Sequence, residues 1–356
     1  MNNQSNIRGR GTTSNAVGRF ERYTTVATDD GWCTEEDLPP LRTEVLDEVA
    51  RSLISYNRSP DLPFDRSINP YRGCEHGCVY CFARPSHAYL GMSPGLDFET
   101  RLIARPNAPE VLRKELSSKG YRVAPIALGT NTDPYQPVEK TRLITRTCLE
   151  VLSEFNHPIA IVTKGALIER DLDILADMAQ RRLVRVGISL TTLDSGLSRR
   201  MEPRAPAPQR RLQMIRRLTE AGVPVRVMTS PVVPGLTDHE LEQLLEAGKD
   251  AGADVASWIM LRLPREVSEL WRVWLATHEP ARAEKVMTHL RDMHGGREYD
   301  PRWGHRMRGE GEYAEMIAKR FKLTVKRLGL ATQSEPLRCD LFSKPPQAGD
   351  QLSLFE

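Results

Sequence analysis

The sequence predicts an α/β fold: a partial parallel (β/α)6 barrel with an irregular N-terminal arm and a helical C-terminal extension. Three observations predict it. Short apolar runs alternate with amphipathic segments between residues 59 and 263, the flanking regions lack that alternation, and 356 residues exceed what one hydrophobic core usually gathers. A composition of 40% hydrophobic and 27% charged residues belongs to soluble globular chains and excludes collagenous, membrane and wholly disordered classes.

In chain order, residues 1–58 are polar, with Arg8, Arg10, Arg19 and Arg22 ahead of the acidic stretch DDGWCTEED, and read as an arm that wraps a core. The barrel, residues 59–263, follows. IALGTN (126–131), IAIVTK (159–164), VRVGISLTT (184–192), VRVMTS (225–230) and VASWIML (255–261) read as buried parallel strands. Helical stripes separate them: Leu143, Ile144, Thr147, Cys148, Val151, Leu152 and Phe155 in one, Leu172, Leu175, Ala176 and Ala179 in the next, Leu212, Ile215, Leu218 and Ala221 in a third. Repeated strand-helix-strand units demand right-handed crossovers and a parallel sheet. With the weakly patterned segment before Gly73 the strands number about six, which suits a partial barrel better than an eightfold one. The extension, 264–344, opens at Pro264 with Val267, Leu270, Trp271, Trp274 and Leu275 on one helical face; Pro280 opens a second helix that stops at Gly295-Gly296, and a third starts near Glu310. Residues 345–356 form a linker-like tail ending in QLSLFE.

The first residues hold no apolar stretch of the kind a secretory signal needs, and no run of about eighteen apolar residues follows. A cytoplasmic protein without membrane contact is expected. Thiols there stay reduced, and six cysteines are too few for a disulfide scaffold of this length, so clustered cysteines read as metal ligands or reactive groups.

Such a cluster exists in GCEHGCVYCFAR, where Cys74, Cys78 and Cys81 follow the first strand in a C-x3-C-x2-C run. A structural zinc site normally takes four protein ligands, and no fourth cysteine lies nearby; His76 sits inside the loop at an unfavourable place. A [4Fe-4S] cluster on three thiolates leaves one iron open to an outside ligand.

This motif, C-x3-C-x-aromatic-C after the first strand of a partial parallel barrel, resembles that of the radical S-adenosylmethionine (SAM) enzymes. The resemblance implies that the amino and carboxylate groups of SAM take the open iron, that an electron from a donor such as flavodoxin or ferredoxin splits the sulfonium, and that the 5'-deoxyadenosyl radical removes hydrogen from a substrate. Tyr80 holds the aromatic position, whose neighbourhood packs against adenine in that family. Over residues 65–265 the chain further resembles the spore photoproduct lyase-like branch. LGTNTDPYQPVEK opens at the end of the second strand and places Thr130 and Asn131 near SAM; IVTKG supplies Lys164, matching a lysine that reaches the SAM carboxylate; GISLTT supplies Ser189, near the ribose or the amino-acid tail. Carboxyl ends of parallel strands are ligand sites on topology alone.

The chain departs from the lyase in its hydrogen relay. Gly129 or Thr130 stands where the lyase has a cysteine, and Phe82 where it has a second tyrosine, leaving Tyr80. Reversal of a thymine crosslink by the same route is therefore not expected. Among other thiols, Cys148 reads as core, Cys33 sits in an acidic arm, and Cys339 is left as a weak hydrogen-donor candidate.

The net charge of +3 conceals local excess. RRMEPRAPAPQRRLQMIRR (199–217) has seven arginines and one glutamate, and residues 281–330 hold twelve basic against seven acidic side chains. Arg199, Arg200, Arg204, Arg210 and Arg211, with Arg302, Trp303, Arg306 and Arg308 of YDPRWGHRMRG, are candidates to grip phosphates and stack bases. QLSLF resembles the peptide by which bacterial DNA repair and replication proteins bind the sliding clamp, with Gln351, Leu352, Leu354 and Phe355 as its anchors. The reading is a radical SAM enzyme acting on DNA, in repair or modification, near the clamp; the alternatives are modification of RNA or protein, and a non-enzymatic iron-sulfur module.

Overall fold

The structure, a computed structural model, describes residues 9–20 and 41–346. Among these residues the main sheet has seven strands. Six are parallel: β1 (Arg66–Ile68), β2 (Ile126–Leu128), β3 (Ile159–Thr163), β4 (Val184–Ser189), β5 (Val225–Val232) and β6 (Val255–Met260). They neighbour one another in sequence order, and Ile54–Tyr56 pairs antiparallel on the outer edge of β1.

The connecting helices are α1 (Ala108–Ser117), α2 (Ile144–Glu154), α3 (Leu172–Gln180), α4 (Pro208–Glu220) and α5 (Leu241–Asp250). Because strand order follows chain order, right-handed crossovers all wind the same way and put these helices on one face. The strands obey that geometry. On β5, Val225, Val227 and Thr229 are buried, and Val227 packs so closely on α5 that a β-carbon at Gly248 would lie 2.7 Å from it. Arg226, Met228 and Ser230 alternate onto the inner face, where Gly187 makes room for the Met228 sulfur.

The arm is less irregular than its composition suggests. Glu44–Asp47 pairs with Arg101–Ala104, which also holds Tyr71–Arg72, in a separate three-stranded sheet. Its four residues are mostly exposed and carry no apolar alternation, so only the waiting strand edge makes them a strand.

The extension contributes α6 (Glu266–His278), α7 (Pro280–Met293) and α8 (Gly311–Leu328). Pro280 occupies the first turn of α7, where its missing N–H costs nothing, and Gly329 ends α8 at φ 64°. Trp271 and Trp274 of α6 stack at 4.9 Å, and the Trp274 indole donates to the Arg200 carbonyl at 3.0 Å.

Residues 331–344 cross the amino ends of the strands as a strap. Ala331 bonds to Asp254 and Ala256, the Arg338 N–H to the Arg182 carbonyl, and Phe342 packs against Tyr121, Phe155 and His157. The two sheet edges meet through residues 304–307, with no strand ladder between them among the described residues. The Met260 N–H donates to Met307, and Asp61, in the loop between the antiparallel edge strand and β1, accepts from the Gly304 N–H (2.7 Å) and Arg306 (2.6 Å). Among the described residues no helix is long and apolar enough to cross a membrane.

Candidate active site

The cysteine loop leaves Tyr71–Arg72 through Gly73 and turns again at Gly77, both at positive φ. Neither position tolerates a side chain: a β-carbon would lie 2.8 Å from Leu102 at Gly73 and 2.6 Å from Glu99 at Gly77. Cys74 and Cys78 are buried, Cys81 is partly exposed, and all three are free thiols.

Arg84 fixes the loop from outside the barrel. Its guanidinium, fully buried, donates to the carbonyls of Cys78 (2.9 Å), Gly77 (3.1 Å), Pro94 (3.0 Å) and Gly95 (2.9 Å) and to Glu99 (2.6 Å). Glu99 in turn accepts from the Gly11 N–H, the Thr12 N–H and the Thr12 hydroxyl. Thus the arm closes over the loop: a β-carbon at Gly11 would fall 1.8 Å from the Gly77 carbonyl oxygen, so only glycine passes there.

Asp133 and Gln136, in the loop after β2, tie the cysteines to the neighbouring strand end. Asp133 accepts from the Thr163 hydroxyl (2.6 Å) and the Lys164 N–H (2.7 Å) and lies 3.3 Å from the His76 ring. Burial pushes its carboxyl up, but His76 and these donors outweigh that and hold it down at about 2. Gln136 donates to the Gly73 carbonyl and accepts from the Glu75 N–H.

Inside the mouth, Glu202 is the hub. Its carboxylate accepts from the Tyr80 hydroxyl, the Thr191 hydroxyl (3.0 Å) and Arg211, with the Lys164 ammonium 4.0 Å away and 5.8 Å from the Tyr80 ring centroid. Burial raises this carboxyl, and Arg211 and Lys164 more than reverse the effect, leaving it at about 2. Burial also pushes the Cys78 thiol up to about 12, opposed by the charge of Lys164. Lys164 thus lies beside the cysteine loop, near Tyr80.

The structure brings Cys74, Cys78, Cys81, Tyr80, Lys164 and Ser189 to one end of the barrel. Ser189 is buried at the end of β4, its carbonyl accepting from Arg211. Thr130 and Asn131 are partly exposed in the loop after β2, next to Asp133. Cys339 does not join them: it lies on the strap at the opposite end of the barrel, near Arg66, and cannot serve as hydrogen donor to this site.

The basic stretches are largely neutralised. Arg200 pairs with Glu279, Arg204 with Glu75, and Arg210 with Glu169, while Arg211 is interior and held by Glu202. Arg302 pairs with Asp300, and Arg306 with Asp61. Arg199, Trp303 and Arg308 stay exposed. Gln351, Leu352, Leu354 and Phe355 lie outside the described residues. Sequence reasoning missed Glu202, Arg84, Glu99 and Asp133. Glu202 left one signal, as the lone acid among seven arginines.

The donor set fits an iron-sulfur cube. Among the described residues no three His, Cys, Asp or Glu side chains converge on a single ion, whereas thiolates on different irons of a cube need a wider spread. The lumen also fits a polar ligand. Asn69 after β1, Ser230 on β5 and Arg262 after β6 each bury a polar atom that has no partner.

Three thiolates at the carboxyl end of a one-way parallel barrel define an iron-sulfur enzyme with an open coordination position. The chain belongs to the radical SAM superfamily, whose sequence profile matches residues 68–248. It is 37% identical over 277 residues to an uncharacterised protein of Mycobacterium tuberculosis, covering 77% of this chain and 78% of that one. It is 28% identical over 178 residues to a radical SAM Nalpha-GlyT isomerase of Pseudomonas phage M6, covering 48% of this chain and 34% of the isomerase. The fold is similar to a spore photoproduct lyase variant with bound AdoMet and dinucleoside spore photoproduct, at a TM-score of 0.57 and 14% identity over 82% of each chain. Membership implies a [4Fe-4S] cluster on Cys74, Cys78 and Cys81 and SAM beside it.

Proposed function

We propose that this radical SAM enzyme repairs or modifies DNA. One observation carries the choice of substrate: the lyase of the same fold holds AdoMet and a dinucleoside photoproduct together in one structure. The partial kinship to the phage isomerase agrees with a chemistry other than crosslink reversal.

When bound, the cluster and SAM supply a 5'-deoxyadenosyl radical. The chain's own residues bind and orient. Lys164 offers its ammonium to the SAM carboxylate, and Glu202 holds that ammonium in place. Arg211 and Thr191 hold Glu202, and Thr130, Asn131 and Ser189 complete the polar wall. Of the lyase's hydrogen relay only Tyr80 remains, its hydroxyl donating to Glu202. No cysteine can stand at Gly129, where a β-carbon would lie 1.9 Å from the Val162 carbonyl oxygen. Return of hydrogen by the lyase's route is therefore not expected.

Anaerobic reconstitution with dithionite tests the reading. Release of 5'-deoxyadenosine should rise with added DNA; equal rates with and without DNA, with the cluster spectroscopically intact, would refute the substrate. The tail extends the proposal to the sliding clamp. Immobilised clamp should retain the full chain and lose one truncated after Asp350, and equal retention overturns that link.

A further inference from the structure

We propose that Phe82 and Tyr89, flanked by Arg262 and Arg265, form a stacking platform for an unpaired base of a single nucleic-acid strand at the mouth of the barrel. The proposal rests on the DNA reading above and deepens it by naming what the substrate's strand touches.

Phe82 follows the last cluster cysteine and is 46% exposed, although a phenylalanine gains most from burial. The guanidinium of Arg262, leaving the end of β6, lies 4.8 Å from its ring centroid. One Arg262 nitrogen, Nε, is buried without a partner. Three residues on, Arg265 has φ 54°, a left-handed backbone that disfavours any residue with a β-carbon. That exposed arginine donates to the Tyr89 hydroxyl at 3.4 Å, and Tyr89 is 66% exposed. Phe20 of the arm extends the surface 5.4 Å from Tyr89, with Arg19 5.4 Å from both rings. The carboxylate of Glu266 at this surface is neutralised by Arg19 at 2.6 Å.

The arrangement joins flat exposed rings to cations, directly beside the cysteine loop. Every base has a π-face, and arginine both stacks on rings and attracts phosphate. In the longer basic stretches most arginines are paired to carboxylates, and the exposed Trp303, Arg199 and Arg308 lie away from the cysteine motif in sequence.

The test uses the full, cluster-loaded chain and fluorescence anisotropy with three strands of equal length: deoxyribo, abasic deoxyribo and ribo. The abasic strand keeps the charge and removes the stacking. It should bind about tenfold more weakly than the intact strand. Tyr89→Ala should close that gap and Tyr89→Phe should restore it, while Arg265→Gln weakens all strands alike and lowers the salt dependence. Equal binding of intact and abasic strands by the wild type overturns the platform, as does a gap unchanged in both Tyr89→Ala and Phe82→Ala. Preference for the ribo strand keeps the platform and sinks the DNA reading. A stacking gap without stimulated SAM cleavage does the same.

Discussion

Two buried arginine-glutamate pairs flank the cysteine loop, and they are built differently. Arg84 and Glu99 spend almost every donor and acceptor on backbone atoms of residues 11–12, 77–78 and 94–95. In the other pair Arg211 also binds backbone, the Pro206 and Ser189 carbonyls, but Glu202 engages only side chains: Arg211, Tyr80, Thr191 and a Lys164 held at 4.0 Å. The first pair welds three chain segments together. The second holds an ammonium at 4.0 Å, the looser contact that the proposed role of Lys164 toward SAM requires.

Breaking the welded pair should give the largest effect. Glu99→Gln or Arg84→Met leaves an uncompensated buried charge, worth about 3–5 kcal/mol, and should lower the denaturation midpoint and iron content together. Retained iron at wild-type stability would remove the distinction between the pairs.

The functional pair is separable by pH. The Glu202 carboxyl sits at about 2 in the fold against an ordinary 4.5. Its contribution is thus full above the ordinary value and is lost as pH falls toward 2, on the order of 3 kcal/mol in all. Urea midpoints followed from pH 6 to pH 3 should fall less steeply in Glu202→Gln than in the wild type; parallel curves would show that Glu202 is not the group responsible.

A smaller change is expected of Lys164→Met. SAM affinity should drop about thirtyfold, within the ~1.5–3 kcal/mol of a charge-assisted hydrogen bond, while the thermal midpoint hardly moves. Calorimetry with SAM separates this from a folding defect, and unchanged affinity would dismiss Lys164 as the carboxylate's partner. The least effect belongs to Thr12→Val, which removes one of the bonds to Glu99 and should cost about 1 kcal/mol with iron content intact.

The strands were legible because each is a short apolar run: β2, β3, β4 and β6 lie within the segments that the pattern marks, and β5 runs on past its segment, 225–230, to Val232. The gathering of Cys74, Cys78, Cys81 and Lys164 at one end of the barrel was legible because motif and strand end coincide in sequence. Glu202 was hidden because a run of arginines reads as a sum of charge, while burial decides which arginine is interior. Arg84, Glu99 and Asp133 were hidden for another reason: what defines them is their buried partners, residues 11–12 for Glu99, the carbonyls of a folded loop for Arg84, and His76, Thr163 and Lys164 for Asp133, which no local pattern marks. The same blindness turned Arg306 into a candidate phosphate contact when it is a strut to Asp61.

That strut bears on how the lumen is reached. A closed barrel opens only at its ends, since every flank is a ladder of backbone hydrogen bonds. Here the flank between β6 and the edge strand Ile54–Tyr56 is bridged by residues 304–307, with the Met260 N–H on Met307 and Asp61 on Gly304 and Arg306, a clasp and not a ladder. Such a clasp unfastens without unpairing any strand of the sheet, so the lumen has a side as well as a mouth.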